Sequence, residues 1–131
     1  MARILLTEDD EAVRAFVKRA LELDGHQVVT AEDGGIALEI LTAEHGSFDL
    51  LVSDIMMPVL DGIALALSVA RDYPALVILL MTGFADQRER AFGLDSLVYD
   101  VVPKPFTLAD IRQAVGRALA SRGGGEARAS A

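Results

Sequence analysis

Five short apolar runs alternate with stretches of helical periodicity along this chain, and that alternation restricts the fold more than any other feature. Arg3–Thr7, Gln27–Ala31, Asp49–Ser53, Leu76–Met81 and Leu97–Val102 are short, rich in Leu, Val and Ile, and bounded by turn residues, as buried strands are. Between them, apolar side chains recur every three or four positions. Val13, Phe16, Val17, Ala20 and Leu21 make one such face, which Asp24-Gly25 stops. Ile36, Ala37, Ile40 and Leu41 make the next, from Ile36 to about Glu44, ended by His45-Gly46. A third helix is expected from Asp61-Gly62 to about Asp72 and a fourth over roughly Asp86 to Phe92. The last carries Leu108, Ile111, Val115, Ala118 and Leu119 on its inner face, with Thr107 as N-cap.

Strands that are apolar on both faces need helices on both faces, which requires a parallel sheet. The expected architecture is therefore α/β: a flavodoxin-like (βα)5 doubly wound domain whose five-stranded sheet has the order 2-1-3-4-5. At 131 residues the chain is one domain, over residues 1–120. Three consecutive glycines at 123–125 then predict a flexible tail over 121–131.

Composition removes several classes of function. Without cysteine there is no disulfide, thiolate nucleophile or Cys-ligated zinc. A net charge of −8 opposes sequence-independent binding to nucleic acid or to anionic membranes. The longest apolar stretch, Ala75 to Met81, falls far below the ~18 residues of a membrane span. The N-terminus becomes acidic too soon for a signal peptide, so a cytoplasmic location is expected.

The chemistry gathers at strand ends. Glu8-Asp9-Asp10 follows the first strand, Asp54 the third, Thr82 the fourth and Lys104 the fifth. In the 2-1-3-4-5 order strands 1 and 3 are neighbours at the switch point, so Asp9 and Asp54 face each other across the carboxyl edge. Like charges ~4 Å apart at an effective dielectric of about 20 repel by about 4 kcal/mol, which calls for a raised pKa or a divalent cation. Oxygen-only ligands suit Mg²⁺. A carboxylate can also be a nucleophile, with Lys104 and Thr82 available to hold the oxygens of a transferred phosphoryl group.

With these residues in this order, the sequence resembles the response-regulator receiver domain of two-component signalling, over about residues 2–120. The likeness is carried by Ile4-Leu5-Leu6-Thr7-Glu8-Asp9-Asp10, Asp54-Ile55-Met56-Met57-Pro58 with Asp61-Gly62, Thr82-Gly83, and Lys104-Pro105-Phe106. The resemblance implies that Asp54 is phosphorylated and that Mg²⁺ binds Asp9, Asp54 and the backbone carbonyl of Met56, with Glu8 helping through water. It implies too that Thr82 and Lys104 hold the phosphoryl group and that Lys104–Pro105 is cis. The donor would be a histidine kinase or a histidine phosphotransfer protein. The output would be a protein partner on the face of helix four, strand five and helix five, roughly residues 85–118.

Departures from the usual receiver pattern are Val101, where Tyr or Phe is usual, Gly83 in place of Ala, and Glu8 in place of Asp. Tyr99 shares the parity of Val101 along its strand. Val101, the short length and the Thr82-Gly83-Phe84 run resemble the CpdR group of small cell-cycle receivers, which implies a ClpXP-type protease complex as partner. Two other readings compete. A receiver detached from a hybrid histidine kinase is disfavoured by the start at Met1, directly before strand one. An aspartyl-nucleophile phosphohydrolase needs an acid two residues after Asp54, where Met56 stands. His26 and His45 are expected at the surface, Asp61 as a helix cap, and Phe84, Phe92 and Phe106 as packing residues.

Overall fold

The computed structural model describes residues 1–83 and 96–130. Its strands β1 (Arg3–Thr7), β2 (Gln27–Ala31), β3 (Leu50–Asp54), β4 (Val77–Thr82) and β5 (Asp100–Pro103) form one parallel sheet in the order β2-β1-β3-β4-β5. Helices α1 (Glu11–Leu23), α2 (Gly34–Ala43), α3 (Gly62–Asp72) and the C-terminal α4 (Leu108–Ser130) cover it. The expected fourth helix, Asp86 to Phe92, lies outside the described residues, as do Phe84 and that part of the predicted output face.

Alternating strand residues feed two cores. Leu5, Leu51, Ile78 and Leu80 point to one face, against Leu41 of α2 and Leu65 and Val69 of α3. Ile4, Leu6, Val52 and Leu79 point to the other, against Val17 and Leu21 of α1 and Ile111 and Val115 of α4. Each such fully buried Leu or Ile contributes about 2 kcal/mol of transfer free energy. Burial on both faces is why these strands read as unbroken apolar runs.

Side-chain caps fix where each helix begins, and so where each loop sits. Asp10, Asp33 and Asp61 have extended backbones, and their carboxylates accept N–H bonds from Val13, Ile36 and Ala64. Thr107 Oγ1 accepts the Asp110 N–H while Asp110 returns a carboxylate to the Thr107 N–H, a reciprocal cap. Gly25, at φ +84°, ends α1 in a conformation that side chains disfavour.

Several expectations shift. β5 begins at Asp100, not Leu97, because an edge strand pairs only with β4 and that ladder opens at Leu79–Asp100. Leu97 and Tyr99 are accordingly 42% and 40% exposed. Phe16 and Ile36, expected inward, are 40% and 37% exposed. Ile36 lies in the first turn of α2, and Phe16, midway along α1, meets Phe106, with ring centroids 6.3 Å apart. Past Ser121 the chain continues as α4 to Ser130, where the glycines predict a flexible tail. Glycine disfavours helix by about 1 kcal/mol per residue relative to alanine without forbidding it, and Glu126, Ala127 and Arg128 are good helix formers.

Candidate functional site

The site is built where β1 and β3 stop side by side. Thr7 is in register with Ser53, so the next residues, Glu8 and Asp54, meet across the sheet's carboxyl edge. One carboxylate oxygen each from Glu8, Asp9 and Asp54 lies within 4.8 Å of the others. Glu8 is fully buried and Asp54 is 6% exposed, whereas Asp9 faces solvent.

Lys104 is the counter-charge. Its Nζ lies 2.8 Å from Glu8 Oε1 and 3.1 Å from Asp54 Oδ1. The Lys104 N–H donates to Thr82 O at 2.7 Å, which ties the loop after β5 to the end of β4, and the Lys104–Pro105 peptide is cis as expected. The other Glu8 oxygen, Oε2, accepts the Asp10 N–H at 3.2 Å. Glu8 thus engages both oxygens with the protein, a role the sequence does not announce.

Burial raises the pKa of Glu8, opposed by the Lys104 hydrogen bond and reinforced by the Asp54 charge. Burial likewise raises that of Asp54, with Lys104 opposing and Asp9 adding repulsion. Burial acts to lower the pKa of Lys104, but its bonds to Glu8 and Asp54 prevail and the net shift is upward. Both carboxyls are raised chiefly because burial disfavours their charged forms, with repulsion between neighbouring acids adding to it and Lys104 offsetting only part.

The β3–α3 loop passes close beneath. A Cβ on Gly62 would stand 2.2 Å from the backbone oxygen of Asp54, so only glycine lets α3 begin this near the site. Met56, 55% exposed, lines a cleft of about 410 Å³ together with Glu8, Asp9, Asp10, Asp54, Gly83 and Lys104. Thr82 is buried at the last position of β4, and it is the adjoining Gly83 that lines the cleft. Arg14 is a contact that inspection of motifs passes over. Its Nη1 donates to the Glu8 carbonyl oxygen at 2.9 Å. The signal is positional: with Asp10 as cap, residue 14 falls on the first turn, and helix side chains lean back toward the N-terminus.

An all-oxygen donor set with an exposed carboxylate fits a hard divalent cation that keeps several waters. Among the described residues, no helix is long and apolar enough to cross a membrane.

Known proteins resemble this chain in sequence and in fold. The family model described as response regulator receiver domain matches residues 4–116. Response regulator MprA of Mycolicibacterium vanbaalenii is 36% identical over 97% of this chain and 56% of its own length. MprA of Mycobacterium leprae is 39% identical over 92% of the chain and 51% of its length, so the chain spans about half of these relatives. Among solved structures, a CheY-like receiver domain protein from Methanospirillum hungatei superimposes with a TM-score of 0.84 at 26% identity, covering 93% of this chain and 96% of that one. The Thermotoga maritima response regulator TrrA, crystallised with Mg²⁺ and BeF, has a TM-score of 0.79 at 27% identity, covering 89% and 98%. Sheet order, acidic edge and family match agree, and the chain belongs to the response-regulator receiver domain family.

Proposed function

We propose that this chain is a phosphorylation-controlled binding module in which Asp54 accepts the phosphoryl group. What carries the reading is the convergence of Glu8, Asp9 and Asp54 within 4.8 Å, with Lys104 bridging two of them. An Asp54 carboxylate oxygen attacks the phosphorus of a phosphohistidine on a histidine kinase or phosphotransfer protein. The P–N bond breaks, and the imidazole nitrogen leaves with the electron pair. Lys104 moves from the free carboxylates to the new phosphoryl oxygens, and Thr82, at the end of β4, supplies a hydroxyl beside it. Asp9, Asp54 and the Met56 carbonyl would hold Mg²⁺, with Glu8 acting through water because both its oxygens are engaged. When bound there, the ion would supply positive charge against the phosphoryl oxygens.

Phosphorylation adds about −2 of charge to this pocket, which biases the loops around it between two arrangements. The output is binding of a protein partner, in the cytoplasm, by the face expected from the sequence over roughly residues 85–118, of which β5 and the start of α4 are among the described residues. Val101, half-buried on β5 in place of the usual aromatic, keeps a CpdR-like role on a ClpXP-type protease as the finer form of this reading.

Acetyl phosphate or beryllofluoride with Mg²⁺, followed by intact mass, tests the chemistry. The expected result is a single Mg²⁺-dependent adduct on the wild type that Asp54→Ala lacks. An adduct that survives in Asp54→Ala places the acceptor elsewhere. Pull-downs with phosphorylated and unphosphorylated protein then identify the partner.

A further inference from the structure

Arg14 lies outside the acidic cluster yet contacts the turn that carries it. β1 ends at Thr7, and the helical bonding of α1 opens with the Arg14 N–H donating to Asp10 O at 2.9 Å. The Glu8 carbonyl falls between the two, past the ladder and before the helix. It is the Arg14 side chain that reaches back to this carbonyl, at 2.9 Å. The rest of Glu8 is anchored by other groups: its N–H by Ala31 O at 3.1 Å, and its carboxylate by Lys104 and the Asp10 N–H.

That carbonyl belongs to the Glu8–Asp9 peptide plane, so holding it sets the direction in which Asp9 leaves the backbone. Glu8 and Asp54 are also oriented by Lys104, whereas Asp9 is the solvent-facing member of the three. Its aim depends on its backbone. We propose that Arg14 is a positioning residue for the cation site, fixing the Glu8–Asp9 peptide so that the Asp9 carboxylate points at Asp54. This rests on the reading of Glu8, Asp9 and Asp54 as a Mg²⁺ site. Groups that orient metal ligands from behind change affinity without touching the ion.

The test is a Mg²⁺ titration of the full chain followed by backbone amide NMR shifts, for wild type, Arg14→Met, Arg14→Leu and Arg14→Lys. Arg14→Met keeps most of the stem and removes the donors. Its half-saturating Mg²⁺ concentration is expected to rise about tenfold. Adduct formation from acetyl phosphate is expected to slow at low Mg²⁺ and to recover as Mg²⁺ saturates. Arg14→Lys, which retains a single cationic donor, falls between wild type and Arg14→Met. Arg14→Leu, which also lacks a donor, gives the same reading if Arg14→Met does not fold. A residue that only stabilised α1 would shift the melting temperature and leave the Mg²⁺ midpoint unchanged. Midpoints within twofold of wild type in both donor-deleted variants, with wild type binding normally, overturn the proposal alone. A wild type that shows no saturable Mg²⁺ response removes the metal-site reading and the proposal together.

Discussion

Lys104 shows how tightly charge is balanced at one residue. Its ammonium sits between a fully buried Glu8 and a nearly buried Asp54, and its own burial opposes the charge that both partners favour. Removing one member of such a set leaves a buried charge uncompensated, which typically costs about 3 kcal/mol or more. Lys104→Met keeps the aliphatic stem, so its effect isolates the lost charge. In metal-free buffer at pH 7.5, Lys104→Met is expected to lower the melting temperature by about 10 °C, at roughly 4 °C per kcal/mol for a chain of this size. At pH 5 the deficit is expected to shrink, because Glu8 and Asp54, already raised in pKa, can take up protons in place of the ammonium. Thermal melts at the two pH values decide it. An equal deficit at both assigns the loss to packing and not to charge.

At the scale of elements, the same residue type plays opposite parts according to what lies around it. Gly62 starts α3 so close to β3 that a Cβ would stand 2.2 Å from Asp54 O and 2.8 Å from Ile55 Cα, both backbone atoms that cannot swing away. Gly116 lies inside α4 with nothing within 4 Å of an added Cβ. Gly62→Ala is therefore expected to destabilise by about 2–3 kcal/mol and to slow adduct formation at Asp54, since the backbone it displaces carries the proposed acceptor. Gly116→Ala is expected to stabilise by about 0.5–1 kcal/mol, the usual gain of alanine over glycine in a helix interior. Urea unfolding of both variants measures this, and a stabilised Gly62→Ala contradicts the close packing. The strands, the caps at Asp61 and Thr107, and the acidic edge were legible in the sequence because each follows from local pattern: apolar runs, a capping residue at a helix start, acids at strand ends. The late start of β5 was not, because Leu97-Val98-Tyr99 has strand composition and only its edge position delays pairing. The continuation of α4 past Ser121 also escaped, since glycine propensity weighs against helix at 123–125. The Glu8–Lys104 bond joins residues 96 positions apart, a distance no local pattern reports.

For the whole molecule, the acidic edge makes stability depend on pH and, on the proposed reading, on the cation. Glu8 and Asp54 have pKa values raised by folding. Between about 4, where carboxyls titrate in the unfolded chain, and those raised values, the native state binds more protons than the unfolded state. Stability therefore falls as pH rises through that window. Asp24, lowered by its hydrogen bonds to Arg112, acts with the opposite sign, losing its contribution only as pH falls below the ordinary carboxylate range. Lys104, raised in pKa, keeps its contribution through neutrality and loses it only in strongly alkaline solution. Above the ordinary carboxylate range and below the alkaline one, the acid pair thus governs the local balance. A net charge of −8 adds a general self-repulsion of the same direction, and the two are separable. Monovalent salt screens the general part, whereas Mg²⁺ at equal ionic strength is expected to act on the site. Metal-free protein is expected to melt at lower temperature at pH 7.5 than at pH 5.5 even in 0.15 M salt, a strength at which exposed charges about 8 Å apart are already screened. Millimolar Mg²⁺ is expected to remove most of that difference, and Asp54→Asn to flatten it without metal by removing one of the two buried charges. If the slope persists unchanged in Asp54→Asn and is insensitive to Mg²⁺, the pH dependence arises from the surface at large, and the three carboxylates do not act as one cation site.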